Sequence, residues 1–226
     1  MQIIKLSQSD DREQWLDMRR TVITGTKSKA VAPPKRGNST PQGVFELLAE
    51  NVAIAKDGEP ERDRGLRLEQ EAILAVQDKY NLDLVLDGMW LSDDGKRGVS
   101  PDAYENSDKP KYAVESKSLD TKNHLRGIIT DYEAKQLDTY NAVESLKIGK
   151  EDYSYQVAQY FSINPDLETL YFALYDDRVA LENIMLYVIV VQREHIEEFA
   201  QEQEVNQRAV INQVNTMIKI LKGIKQ

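Results

Sequence analysis

The chain has 226 residues, 41% apolar and 30% charged, with 29 Lys and Arg against 38 Asp and Glu for a formal net charge of −9. That apolar share is too high for a disordered chain, and the length supplies enough core to fold without covalent staples. Cys is absent and His occurs only as His124 and His195; this removes disulfides, thiolate metal sites and cysteine nucleophiles, and leaves oxygen ligands, hence Mg²⁺, Mn²⁺ or Ca²⁺, for any metal.

Taken in chain order, residues 10–20 are predicted helical, with Asp10 as cap, Glu13 completing a capping box, and Trp15 and Met18 on the apolar side. A short extended piece at 22–26 leads into a loop at 32–38, where two prolines and Gly37-Asn38 end any helix. A second helix starts at Ser39-Thr40-Pro41 and runs through Phe45, Leu47, Leu48 and Val52. A third covers 63–80, with Leu66, Ile73 and Tyr80 seven apart. Strands are predicted over 82–91, 97–99 and 111–118, with Asp93-Asp94-Gly95 as a turn. Residues 132–146 and 152–163 read as helices, 168–175 and 184–191 as apolar strands. A long helix runs from Glu194 to the end, with Ile196, Phe199, Val210, Val214, Met217 and Leu221 inward. The order predicts one α/β domain over 1–226, with its core at about 61–192 between an N-terminal helical and basic region at about 10–60 and a C-terminal helix at about 193–226.

The longest apolar run, Ile184 to Val191, is far short of the ~18 residues a membrane span needs. The Met-Gln-Ile-Ile-Lys start has no signal-peptide pattern, so a soluble cytoplasmic protein is expected. Charge is unevenly laid out. Residues 18–45 hold six bases (Arg19, Arg20, Lys27, Lys29, Lys35 and Arg36) and no acid, whereas 151–204 hold twelve acids and two bases. Local potential rather than net charge attracts a polyanion, so the first window is a phosphate-facing candidate as well as a solvated surface.

The chemistry-bearing residues are Ser100-Pro101-Asp102 and, after twelve intervening residues, Glu115-Ser116-Lys117. Glu115 and Lys117 are two apart on a strand and so share a face. If the strands pair, two hard carboxylates converge beside a lysine; the carboxylates suit Mg²⁺, the Ser116 carbonyl adds an oxygen, and Lys117 stabilises hydroxide or phosphate charge. This is the equipment of metal-assisted phosphodiester hydrolysis. The spacing recurs, however, at Asp120 and Glu133-Ala134-Lys135. That copy lies in a polar, helix-leaning stretch, where residues two apart diverge, and it reads as surface charge.

Glu69 sits among Leu66, Ala72, Ile73 and Val76 on a helical apolar stripe. It reads either as half of a buried ion pair with Arg62 or Arg64, or as a third acid of the site. Gln156, between Tyr153 and Tyr160 on an aromatic face, is either a satisfied core amide or a group that positions water or phosphate.

In these residues the chain resembles the lambda exonuclease / YqaJ-type viral recombinase family of restriction-endonuclease-like PD-(D/E)xK nucleases. The matching segments follow the family's order: Trp15 to Thr26, Phe45 to Glu50, Gly65 to Glu69, Ser100-Pro101-Asp102-Ala103, Glu115-Ser116-Lys117, Tyr155-Gln156-Val157 and Tyr171 to Asp176. Ala103 stands where many members have Gly, and Thr26 where Ser is usual. The resemblance implies a mixed central β-sheet flanked by helices, and a 5′→3′ exonuclease that degrades one strand of linear duplex DNA to leave a 3′ single strand for phage-type recombination. It implies Mg²⁺ as cofactor, with Mn²⁺ as substitute and Ca²⁺ inhibitory. By the family pattern Asp102, Glu115, the Ser116 carbonyl and Lys117 form the metal and catalytic set, assisted by Glu69 and Gln156. Arg19, Thr24 and Thr26 fall in the 5′-phosphate region, and Lys35 and Arg36 in a DNA-touching loop. A ring-shaped homotrimer and a single-strand annealing partner are also implied. A site-specific or structure-specific endonuclease of the same fold, and an inactive DNA-end-binding module, are the competing expectations.

Overall fold

The computed structural model describes residues 61–86, 88–95 and 97–223. The elements expected before residue 61 lie outside the described residues.

The first helix, α1 (Glu61–Tyr80), buries Leu68, Ala72, Ile73 and Val76 along one side. Spacings of three and four residues put these on one stripe. The helix stops at Asn81, which takes the left-handed conformation (φ 52°), while the Leu82 amide donates back to the Gln77 carbonyl; Asn tolerates this position better than most side chains.

The stretch from 82 to 91 is not one strand. It contains β1 (Leu84–Leu86) and β2 (Trp90–Leu91), the latter paired in a hairpin with β3 (Gly98–Val99) around the expected Asp93-Asp94-Gly95 turn. A strand the sequence does not announce, β4 (Ala103–Glu105), follows directly on Asp102. Then come β5 (Tyr112–Lys117), α2 (Thr121–Ala134), the short α3 (Ala142–Ser145), and the hairpin of β6 (Lys147–Ile148) with β7 (Glu151–Asp152). The chain continues through α4 (Ser154–Ile163), β8 (Thr169–Tyr175), the short α5 (Glu182–Met185), β9 (Leu186–Gln192), a 3₁₀ turn (Arg193–His195) and α6 (Glu197–Gly223).

The helix expected over 132–146 therefore begins earlier and breaks in the middle. The Asp120 carboxylate accepts from the Asn123 amide at 2.7 Å and starts α2. Lys135 ends it, and Asn141 caps α3 separately through the Val143 amide at 2.8 Å. Such caps satisfy amides that a helix start leaves without internal partners.

The main sheet has the order β1-β4-β5-β8-β9. Only β5 and β8 run parallel; the other pairs are antiparallel. A parallel pair needs a long crossover, and α2, α3, the β6–β7 hairpin and α4 supply it. One face packs Val114, Ala173 and Val188 under Ile73 and Val76 of α1. The other packs Ala113, Phe172, Leu174 and Ile189 against Val157, Ala158 and Phe161 of α4 and Ile196 and Ala200 near the start of α6. The result is a mixed central sheet flanked by helices. The inward side expected for the C-terminal helix holds at Ile196 and Phe199 but not at Val210, which is 58% exposed. No helix among the described residues is long and apolar enough to cross a membrane.

The β2–β3 hairpin is anchored to α4. Arg97, nearly buried, donates to the Ser162 hydroxyl at 2.7 Å and pairs with Glu204 of α6 at 3.0 Å, and Gln159 donates to the Gly98 carbonyl at 2.8 Å. These contacts hold the segment that delivers Asp102 to the sheet.

Candidate active site

Ala103 of β4 faces Val114 of β5 in antiparallel register, and the Asp102 amide donates to the Val114 carbonyl at 3.2 Å. Continuing the register by one residue sets Asp102 opposite Glu115. The two carboxylates thus meet although twelve residues separate them in sequence. Alternation along β5 directs Glu115 and Lys117 to the same face as Ala113, towards α4.

Glu115 is almost fully buried and both of its oxygens accept hydrogen bonds. Oε1 accepts from the Lys117 ammonium in a very short contact and from Gln156 Nε2 at 2.8 Å; Oε2 accepts from the Tyr160 hydroxyl at 2.5 Å. A carboxylate can occupy so dry a position only when paired and hydrogen-bonded in this way. Tyr160 also reaches the Ser100 carbonyl at 3.0 Å. Burial, with Glu115 and Asp102 nearby, pushes its phenol well above the usual range, so it stays protonated as a donor.

Asp102 is held differently. Its Oδ2 accepts from the Ser116 amide at 2.7 Å and from the Ser116 hydroxyl at 2.9 Å. Burial first, then repulsion by Glu115 and more weakly by Glu69, outweighs these bonds and raises its pKa to about 6. Glu69, half-buried on α1, is therefore within electrostatic reach of the pair, as a third acid would be. Arg62 and Arg64, its alternative partners, have no described side chains.

Lys117 lies at the opening of this cluster. Its ammonium contacts Glu115 and sits 5.7 Å from the centre of the Tyr153 ring, with a quarter of the side chain exposed. α4 and the Tyr153 that precedes it thus bring three residues to one site: Tyr153, Gln156 and Tyr160 are spaced three and four apart. Gln156 lies on the cluster, donating to Glu115 rather than idling in the core. The functional position that sequence reasoning passed over is Tyr160, read as an aromatic neighbour of Gln156. A signal existed: a Tyr rather than a Phe on a buried stripe implies a hydroxyl that needs a partner.

The donor set suits a hard divalent cation. Burial, and then the neighbouring Glu115 and Glu69 charges, make an ionised Asp102 costly, a cost that a bound cation would relieve. Asp102 Oδ1 carries no hydrogen bond among the described residues, and so faces any incoming ion unencumbered. Among the described residues no three acidic or histidine side chains enclose an ion by themselves.

The second copy of the spacing is dispersed. Asp120 caps α2, Glu133 is exposed, and Lys135 pairs with buried Asp131 at 2.6 Å. Arg19, Thr24, Thr26, Lys35 and Arg36 lie outside the described residues.

No family model and no curated protein sequence matches the chain. Among solved structures, it is similar in fold to an alkaline exonuclease (LHK-Exo) from Laribacter hongkongensis, with 20% identity, 93% of this chain and 96% of that chain covered, and a TM-score of 0.55. A structure of LHK-Exo in complex with dAMP aligns at 18% identity over 92% and 99% of the two chains, with a TM-score of 0.47.

Proposed function

We propose that the chain is a divalent-metal-dependent deoxyribonuclease that degrades one strand of linear duplex DNA from its end. The observation that carries the reading is the meeting of Asp102, Glu115 and Lys117 at the β4–β5 junction, with Glu69 close enough to act on Asp102. The fold shared with an alkaline exonuclease supports the same reaction class.

In this reading Asp102, a Glu115 oxygen and the Ser116 carbonyl would hold Mg²⁺, with the Glu69 charge beside them; the ion would polarise a phosphate oxygen and lower the pKa of water. The chain's own groups do the rest. Lys117 leaves its contact with Glu115 to neutralise the charge that grows on the phosphate, or to hold a proton-poor water for attack. Tyr160 and Gln156 keep Glu115 oriented while Lys117 moves. Burial of Glu115 keeps competing water from its oxygens. Arg19, Thr24 and Thr26 bind the 5′-phosphate, which sets 5′→3′ polarity, and Lys35 and Arg36 touch the DNA. The product is a 3′ single strand for recombination with a single-strand annealing partner. A homotrimer encircling DNA, a phage-type origin and action in the cytoplasm belong to the same proposal.

The test is an end-labelled linear duplex with and without Mg²⁺. The wild type releases nucleotides from the 5′-labelled end only with Mg²⁺ and spares a closed circle. Lys117→Ala and Asp102→Ala reduce the rate by at least about 10²–10⁴-fold while circular dichroism and melting show a folded chain. Full activity in either variant refutes the site. Cleavage of the circle would favour the endonuclease reading.

A further inference from the structure

Next to the candidate active site lies a cavity of about 270 Å³ that the proposed chemistry does not use. It is below the ~300–1,000 Å³ typical of sites for drug-sized ligands, so it suits a small group such as a phosphate. Its walls are the first turns of α2 (Lys122, Asn123, Arg126), the β6–β7 turn (Lys150, Glu151) and Tyr153. The ring of Tyr153 is shared, since the Lys117 ammonium lies 5.7 Å from its centre. Tyr153 thus stands between the cavity and the proposed catalytic lysine.

Three features mark it as built. Three cations and one acid line it, in a chain whose net charge is −9. Lys122 and Arg126 are four apart on one helix face, a like-charge spacing that does not favour an isolated helix. Finally, Gly149 turns the hairpin at φ +69°, and a Cβ there would come within 2.8 Å of Arg126 Nη1 and 2.9 Å of Asn123 Oδ1. The missing side chain lets Arg126 and Asn123, joined by a 3.2 Å hydrogen bond, lie against the turn with the guanidinium held in place.

We infer that this cavity is a subsite for a backbone phosphate of the strand being degraded, adjacent to the linkage at Lys117, with Arg126, Lys122 and Lys150 as its cationic ligands. The inference rests on the nuclease reading and extends it. Arg126 supplies a planar fork for phosphate oxygens, and the two lysines supply point charges.

The test measures binding of a labelled linear duplex to the full chain in EDTA, where no cutting occurs, from about 50 to 200 mM salt. Arg126→Gln and Lys150→Ala each weaken binding and lower the slope of log affinity against log salt; loss of a single duplex phosphate contact is worth about 0.9 in that slope. Lys150 is exposed, so its variant keeps the fold even if Arg126→Gln does not. Lys109→Ala, at the far end of β5, leaves the slope unchanged. A neutral methylphosphonate near the end of the degraded strand weakens wild-type binding and adds nothing further in the double variant. An unchanged slope in Arg126→Gln and Lys150→Ala overturns the subsite alone. Loss confined to methylphosphonates in the complementary strand overturns the strand assignment. A wild-type chain without affinity for duplex DNA overturns the nuclease reading and this inference together.

Discussion

The chain carries the same acidic spacing twice, and the two copies have opposite fates. Asp102 and Glu115 lie on strands that pair, so twelve intervening residues fold back and the carboxylates meet. Asp120 and Glu133 stand at opposite ends of α2, where a rise of about 1.5 Å per residue separates them by roughly 20 Å. In the first copy Glu115 and Lys117 share a strand face and touch. In the second, Lys135 turns to Asp131, one helical turn back, and Glu133 points to solvent. A spacing is therefore chemistry only when the backbone period returns its residues to one place.

The variants that should separate the copies most widely are Lys117→Ala and Asp102→Ala, already described, set against Glu133→Gln. The last should leave nuclease rate unchanged and stability within about 0.5 kcal/mol. A Glu133→Gln variant as inactive as Lys117→Ala would reverse the assignment.

Tyr160→Phe is next. It removes the donor to Glu115 Oε2 without altering the packed ring. Supporting hydrogen bonds of this kind are worth about 10–100-fold in activity or metal affinity. Steady-state rates against Mg²⁺ concentration should show a weaker metal response; an unchanged response would reduce Tyr160 to a packing residue.

Asp102→Asn probes the cost of a buried charge beside a second carboxylate. In the native chain Asp102 keeps its proton to a pKa of about 6, against an ordinary value of 3.8. Between those values the folded state binds more protons than the unfolded one, so stability falls as pH rises through this window, and the full penalty persists above it. Removing the charge should stabilise the metal-free chain at pH 7.5 by roughly 1–3 kcal/mol and have little effect at pH 4. Urea denaturation at both pH values checks this, and an equal difference at the two would contradict it.

A modest effect on stability alone belongs to the second copy's lysine. Lys135→Ala takes an ion-pair partner from buried Asp131, but Tyr187 at 2.6 Å still donates to that carboxylate. The pair is partly exposed, so a loss of about 1 kcal/mol is expected by thermal melting, with nuclease rate intact. A loss of rate would tie the second copy to function.

Much of the sheet was legible before the structure. The runs at Tyr112–Lys117, Thr169–Tyr175 and Leu186–Gln192 are apolar and short, and each forms a strand close to its expected bounds. Glu69 and Gln156 stand out because a polar group on an apolar stripe needs a reason; Gln156 donates to Glu115, and the Glu69 charge acts on Asp102. β4 was not legible. Ala103-Tyr104-Glu105 has no distinctive alternation, and its strand state comes from pairing with β1 and β5 on either side. The start of α2 is not legible either, because Asp120 reads as surface charge and its capping role appears only in its bond to the Asn123 amide. The proposed phosphate subsite was invisible for a similar reason: its walls come from a helix and a hairpin that are adjacent only after the crossover folds.

By itself the sequence determined the chemistry available. Without Cys and with so few imidazoles, any metal must bind to oxygen, and the period-two spacing of Glu115 and Lys117 places them on one face of any strand they occupy. Tertiary structure decided which acids meet, that Tyr160 and Gln156 hold Glu115, and that Asp102 carries a raised pKa. These depend on strand register and on α4 packing over β5. They are long-range relations, and no local pattern in the chain encodes them.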